Sequence, residues 1–193
     1  MKSAFLKGGG IALALLLSGC ATRGGDAGTL AGGAEVARFH LGEQTIARSQ
    51  IAIEPFDRAD ASRPEYAASA SAVARELGRL GWTVVDAARN SEQIALIDVS
   101  QGSREAIAAQ TAARIGPNLR PDVAAGASAN RTATLLEVRI RRRSDASVFW
   151  EGRAVTEAAT GSPEASATAA VDRLASALFR DFPGESGRTI RVR

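Results

Sequence analysis

Two stretches, Thr132-Ala-Thr-Leu-Leu-Glu-Val-Arg-Ile-Arg-Arg142 and Val148-Phe-Trp-Glu-Gly-Arg-Ala-Val-Thr156, flank the short polar segment Ser144-Asp145-Ala146. Both are rich in β-branched and aromatic residues, and the polar break between them predicts a β-hairpin. In an extended strand Leu136, Val138 and Ile140 point one way while Arg139, Arg141 and Arg143 point the other. A three-residue turn pairs Arg143 with Ser147, which sets Arg141 opposite Phe149, Arg139 opposite Glu151 and Glu137 opposite Arg153. A slip by one pair sets Glu137 against Glu151 or Arg139 against Arg153, so charge selects the first register. Each opposite-charge cross-strand pair is worth roughly 0.2–1 kcal/mol. The run Arg139-Ile140-Arg141-Arg142-Arg143 therefore reads as pairing chemistry on a solvated face, with contact to anionic lipid or lipopolysaccharide as its alternative use.

Working outward, Ser162-Pro163 starts a helix in which Ala167, Val171, Leu174, Leu178 and Phe182 recur at helical spacing, before Pro183-Gly184 stops it. Upstream, Ser62-Arg63-Pro64 opens another helix with the stripe Tyr66, Ala70, Val73, Leu77 and Leu80, ended by Gly81. Trp82 to Val85 and Ile94 to Val99 read as strands, the second apolar enough for burial on both faces. Val36, Phe39 and Leu41, then Ile46, Ile51 and Ile53, read as a hairpin or one interrupted strand around Gly42-Glu43-Gln44. Gln101 to Arg131 is a long central excursion, poor in bulky apolar residues and broken by Gly116-Pro117, Arg120-Pro121 and Gly126, with Ala106 to Ile115 as a short helix inside it. Ordering it brings little hydrophobic gain, so it is expected to be the most mobile part of the domain. The element order predicts an α/β two-layer sandwich, with two amphipathic helices on one face of a mostly antiparallel or mixed sheet.

The chemistry-bearing residues are few. His40 is the chain's one histidine and has no cysteine partners for metal or nucleophilic work; a histidine satisfied in or near a strand is the expectation. No Gly-x-Ser-x-Gly elbow appears, and the glycines between Gly24 and Gly33 form neither a P-loop nor a dinucleotide fingerprint. Asp98 lies in the central apolar strand and is expected at its end, capped or hydrated. Trp82 and Trp150 read as core. These residues supply no catalytic set, metal site or cofactor, and the chain reads as a non-enzyme.

The N-terminus specifies a location. Lys2 and Lys7 precede the apolar run Ile11 to Leu17, too short to span a bilayer, as in a secretory signal. The following Leu17-Ser18-Gly19-Cys20 resembles the bacterial lipobox, whose cysteine accepts a diacylglyceryl group and becomes the N-terminus after cleavage. That resemblance implies a signal peptide over 1–19, lipid attachment at Cys20 and a stable multi-chain anchor. Ala21 rather than aspartate at the next position implies the outer membrane. Residues 20–33 read as a flexible Gly-rich tether and 34–193 as a single domain. The chain's net charge of +3 includes Lys2 and Lys7, its only two lysines. Without them the charge is about +1, too little for a long-range field that would favour nucleic acid.

Together with the lipobox, Phe149-Trp150-Glu151-Gly152-Arg153 and Phe179-Arg180-Asp181-Phe182-Pro183-Gly184-Glu185-Ser186-Gly187 give the chain its likeness to a known group. It resembles the domain-of-unknown-function 4136 family of bacterial lipoproteins over about Ala34 to Gly187. The resemblance implies an anchored envelope domain with a two-layer α/β fold, and it carries no catalytic residues; the central excursion departs from the more Gly-rich family pattern. The expected protein is a lipid-anchored, non-enzymatic accessory component of an outer-membrane assembly on the periplasmic side, with an envelope protein as partner. The alternative is a lipoprotein presenting a pocket to a lipid, glycan or peptide.

Overall fold

The computed structural model describes residues 33–42, 46–86, 91–115 and 130–193. Its elements are β1 (Ala34–His40), β2 (Gln50–Pro55), α1 (Pro64–Arg79), β3 (Thr83–Val85), β4 (Gln93–Gly102), α2 (Arg104–Ile115), β5 (Arg131–Arg142), β6 (Val148–Ala159), α3 (Ala167–Phe179) and β7 (Thr189–Val192). The seven strands form one mixed sheet in the order β3-β2-β4-β5-β6-β1-β7. β2 runs parallel to β3 and β4, with α1 as the crossover from β2 to β3, and the other neighbours are antiparallel. The fold is α/β, as the sequence predicts.

The hairpin β5–β6 sits at the centre with Arg139 opposite Glu151 and Glu137 opposite Arg153. The predicted pairing fails only near the turn. The register shifts between Ile140 and Arg141, so Arg141 faces Val148 rather than Phe149, and the Arg142 N–H rather than Arg143 bonds to the Ser147 carbonyl at 3.0 Å. The tip is thus one residue longer than the predicted turn, with Ala146 at φ 57° closing it. Arg143 leaves the strand row altogether and reaches Glu54 at 2.6 Å.

Proline begins α1 at its first position, where the missing N–H costs no hydrogen bond, and Gly81 at φ 99° follows its end. In place of the predicted start at Ser162-Pro163, a short 3-10 turn over Pro163–Ala165 precedes Ser166, whose hydroxyl accepts from the Ala169 N–H at 3.2 Å and caps α3. α3 ends at Phe179, so Phe182 joins the core from the following turn.

The first pair of strands corrects the sequence reading. β1 and β2 form neither a hairpin nor one strand: β1 lies between β6 and β7, β2 between β3 and β4, and three strands separate them. β1 can hydrogen-bond on both sides only where β6 and β7 flank it, which satisfies its backbone better than a single hairpin partner would.

The helices divide between the faces. α1 and α3 pack together on one face over Ile51, Ala95, Ile97, Val99, Leu136, Val138, Ile140 and Ala154. α2 is a third helix on the other face, where Ile107 and Ala108 meet Ala133, Leu135 and Val155. Of the 101–131 stretch, Gln101 and Gly102 complete β4, α2 is docked by buried Arg104, Ile107, Ala108 and Thr111, and 116–129 lie outside the described residues. The weak packing expected of that stretch fails for α2, because an arginine held by two carboxylates does what a row of leucines would do elsewhere.

Candidate functional site

The arginine-rich face is a closed ring of charges. Arg139 lies 2.7 Å from Glu137 and 2.8 Å from Glu151, while Arg153 lies 3.7 Å from Glu137 and also pairs with Glu151. Each carboxylate thus contacts both guanidinium groups. The cross-strand pairing foreseen from charge is present, and the face is only partly solvated: Glu137 is 1% exposed and Arg153 5%, while Arg139, Arg141 and Arg143 are half-buried and Arg142 is exposed. The long side chains lie along the sheet, and the Arg139 guanidinium stacks over Phe56, 4.7 Å from its centroid. A second network, in which Arg104 pairs with Glu35 and lies 3.2 Å from Glu157, and Arg131 lies 3.3 Å from Glu157, fastens α2 and the start of β5.

Asp98 is in the interior of β4, not at its end, opposite Glu137 and 7% exposed. It sits one residue beyond the last β2 pairing, Pro55 with Ile97, and accepts from the Ser100 hydroxyl at 2.9 Å. The adjoining cavity, bordered by Asp60, Arg63, Tyr66 and Asp98, measures about 10 Å³, room for one water. Burial raises the Tyr66 hydroxyl pKa, with Glu54 adding to the rise. This corner is too small for an organic substrate.

His40 is satisfied. Its Nδ1 accepts from the Gly42 N–H at 3.1 Å, which leaves Nε2 to donate to the Gly184 carbonyl at 2.9 Å. Trp150 stacks against Phe179 and Phe182, Trp82 meets Phe182 edge-on, and their indole N–H groups donate to the Pro183 carbonyl and to Gln93. Both indoles belong to the core. Gly152 makes room for this stack, since a Cβ there would run into the Trp150 ring and lie 2.7 Å from Leu178. Among the described residues no group of three or more His, Cys, Asp or Glu side chains is arranged to hold a metal, and no helix is long and apolar enough to cross a membrane. Leu17, Ser18, Gly19 and Cys20 lie outside the described residues.

The feature that sequence reasoning missed is a cavity of about 190 Å³ between α3 and the sheet edge formed by β1 and β7. Arg173 and Ser176 approach it from α3, Arg180 from the residue that caps the helix C-terminus, Arg193 from the end of β7, and Ala34 and Val192 from the sheet. At the end of α3 the buried Arg38 guanidinium donates to the carbonyls of Ala177 and Leu178 at 2.8 Å and of Arg180 at 3.0 Å, closing the helix C-terminus. Burial pushes the Arg38 pKa down, nearby Arg180 contributing less, and Asp181 opposes the shift. A signal existed: the three-then-four spacing of Arg173, Ser176 and Arg180 sets them on one helix face, with Ala169 and Ala177 rather than acids four residues from Arg173. The convergence with Arg193 is tertiary.

An uncharacterized protein of Zymomonas mobilis is 27% identical to this chain, over 82% of the chain and 80% of that protein. No family model matches the chain. Among solved structures, a PelC dodecamer from Paraburkholderia phytofirmans aligns with a TM-score of 0.39 and 10% identity, over 74% of this chain and 92% of that one. A PDZ domain protein from Parabacteroides distasonis aligns at 0.47 and 9% identity, over 82% of this chain and 38% of that one. At these TM-scores neither structure carries an argument about this chain.

Proposed function

We propose that the chain is a non-enzymatic, lipid-anchored envelope protein, an accessory component of an outer-membrane assembly that faces the periplasm. The observation that carries this reading is Leu17-Ser18-Gly19-Cys20, a lipobox-like run behind a basic and apolar leader, with the chain's one cysteine at its end. A partner-contact role is supported by Phe39, Leu41 and Val148, exposed at one corner of the sheet where the Leu41 N–H bonds to the Phe149 carbonyl. Replacing Cys20 with serine tests the anchor: the variant is expected to lack acyl mass by mass spectrometry and to accumulate as uncleaved precursor. Acylated, processed protein from the serine variant overturns the reading.

The second reading, a lipoprotein that presents a pocket to a ligand, is favoured by the arginine-rimmed cavity. It fits the pattern of a concave site with an apolar wall and a few convergent polar groups.

A further inference from the structure

Many arginines of the fold have a carboxylate at hand: Arg143 has Glu54, Arg139 has Glu137 and Glu151, Arg104 has Glu35 and Glu157. Among the described residues Arg38, Arg48 and Arg141 do without one singly, whereas the cavity beside α3 gathers three such arginines in one place. Arg173, Arg180 and Arg193 converge on it, no Asp or Glu side chain lines it, and none of the three makes a side-chain ion pair within 4.0 Å among the described residues. Among the nearby acids, Asp181 lies outside the cavity lining and acts on Arg38, and three more have other contacts. Asp172 pairs with Arg75, and Glu35, on the opposite sheet face, is held by Arg104 and Arg191. Glu164 bonds to its own N–H and to Ser162, with Arg173 its weakest influence. The carbonyls at the C-terminus of α3, whose partial negative charge would otherwise draw Arg180, are taken by Arg38.

Gathering like charges is unfavourable unless an anion joins them, and guanidinium groups match phosphate oxygens through paired N–H donors. At about 190 Å³ the cavity exceeds by more than tenfold the ~10–15 Å³ that one water needs, so it admits a phosphate group together with the first atoms of its carrier. The wall made by Ala34, Ala177 and Val192 is apolar and suits a carbon substituent rather than a second charge.

We infer that this cavity binds a phosphate ester, with Arg173, Arg180 and Arg193 on the phosphate oxygens, the Ser176 hydroxyl as an additional donor and the ester's carbon chain against Ala34 and Val192. The inference rests on the ligand-binding reading and does not require the anchor. A soluble phosphate ester and a phospholipid headgroup present the same chemistry. With lipid at Cys20, the 13 residues to Gly33 span at most about 45 Å, which keeps the cavity within reach of the membrane surface.

The test uses the full chain in neutral detergent with two probes: sn-glycerol 3-phosphate followed by calorimetry, and micelles doped with phosphatidylglycerol, with diacylglycerol-doped micelles as the phosphate-free control. Binding is expected in at least one arm and is expected to weaken about tenfold or more in Arg173→Gln/Arg180→Gln, both exposed positions. Ser176→Phe, which fills the cavity without removing charge, should weaken it as well, whereas Arg188→Gln, on the exposed loop before β7, should not. Binding in both arms assigns the phosphate ester itself, micelles alone a lipid headgroup, and glycerol phosphate alone a soluble ester. Absence of binding in both arms, or equal binding by the double variant, overturns the inference. Native mass spectrometry of the wild type and of Ser176→Phe separates the two failures: a co-purified molecule lost only in Ser176→Phe keeps the ligand-binding reading while discarding phosphate, and no such molecule discards both.

Discussion

The two faces of the sheet are held by different physics. Under α1 and α3 lies a continuous apolar layer, into which α3 alone buries Val171, Leu174, Leu178 and Phe179. Burying each such side chain is worth about 1.5–3 kcal/mol, without directional demands. Beneath α2 the apolar contribution is Ile107 and Ala108 against Ala133, Leu135 and Val155, and beside it the face buries the charged side chains of Arg104, Glu137, Arg153 and Glu157. A desolvated ion pair gains little net stability over apolar packing, but losing one member leaves an unpaired charge out of water. Truncations on the two faces should therefore be costly for different reasons: lost burial and a cavity under α1 and α3, an unpaired buried charge on the other face.

The largest effect tests that contrast directly. Glu137→Ala removes the carboxylate that contacts both Arg139 and Arg153, and a loss of about 3–5 kcal/mol is expected in denaturant unfolding. Leu178→Ala, fully buried on the other face, is expected to cost about 2–5 kcal/mol through lost burial and the cavity left behind. If Glu137→Ala costs less than about 1 kcal/mol while Leu178→Ala falls in its range, the charged face is dispensable and the contrast is wrong.

A smaller effect concerns how the charges are coupled. Were Arg139 and Glu151 an isolated pair, exchanging them would restore what Arg139→Glu loses. In the ring, however, the exchange sets a carboxylate at position 139 beside Glu137 and a guanidinium at position 151 beside Arg153, so two edges stay repulsive. The double variant is expected to recover little, whereas inverting all four charges, Glu137→Arg, Arg139→Glu, Glu151→Arg and Arg153→Glu, keeps every edge attractive and should recover more. Coupling energies for contacting residues run about 0.5–3 kcal/mol, well within reach of chemical denaturation. Full recovery by the double exchange would reduce the ring to independent pairs.

The same contrast explains what could be read without coordinates. Periodicity located α1, α3, β4 and the central hairpin because each has a one-sided apolar pattern, and complementary charges set the hairpin register from Glu137 to Ile140. The bulge at Phe149 was hidden, since a register shift leaves no mark in alternation until partners are known. β7, the four residues Thr-Ile-Arg-Val, is too short and polar to announce a strand, and β1 gives no sign that its partners are β6 and β7 rather than β2. α2 escaped as a packed element because its anchor is Arg104, which a pattern of apolar spacings ignores. For the candidate site, Arg173 and Arg180 resembled the wet side of an amphipathic helix; only Arg193 and the sheet edge turn that side into a cavity.

The smallest expected effect lies at the hairpin tip, where charge acts in full contact with water. Asp145 accepts from the Ser147 hydroxyl at 2.7 Å and from its N–H at 2.9 Å, and these two bonds, in that order, hold its carboxyl below the usual carboxylate range, with Arg142 a lesser cause. Because the folded pKa lies below the unfolded one, the contribution is complete above the unfolded value of about 3.9 and is lost as pH falls through the folded value. The stability difference between the wild type and Asp145→Ala should therefore be constant above about pH 5 and shrink steadily toward about pH 2. It should also hardly change with salt, since hydrogen bonds from Ser147 rather than the Arg142 charge dominate. A difference that persists undiminished in acid would mean that alanine disturbs the turn through its backbone, and one that disappears in salt at neutral pH would transfer the effect to Arg142. The first result would confine dependence on charge to the desolvated face, and the second would extend it from the buried ring to the exposed tip of the same hairpin.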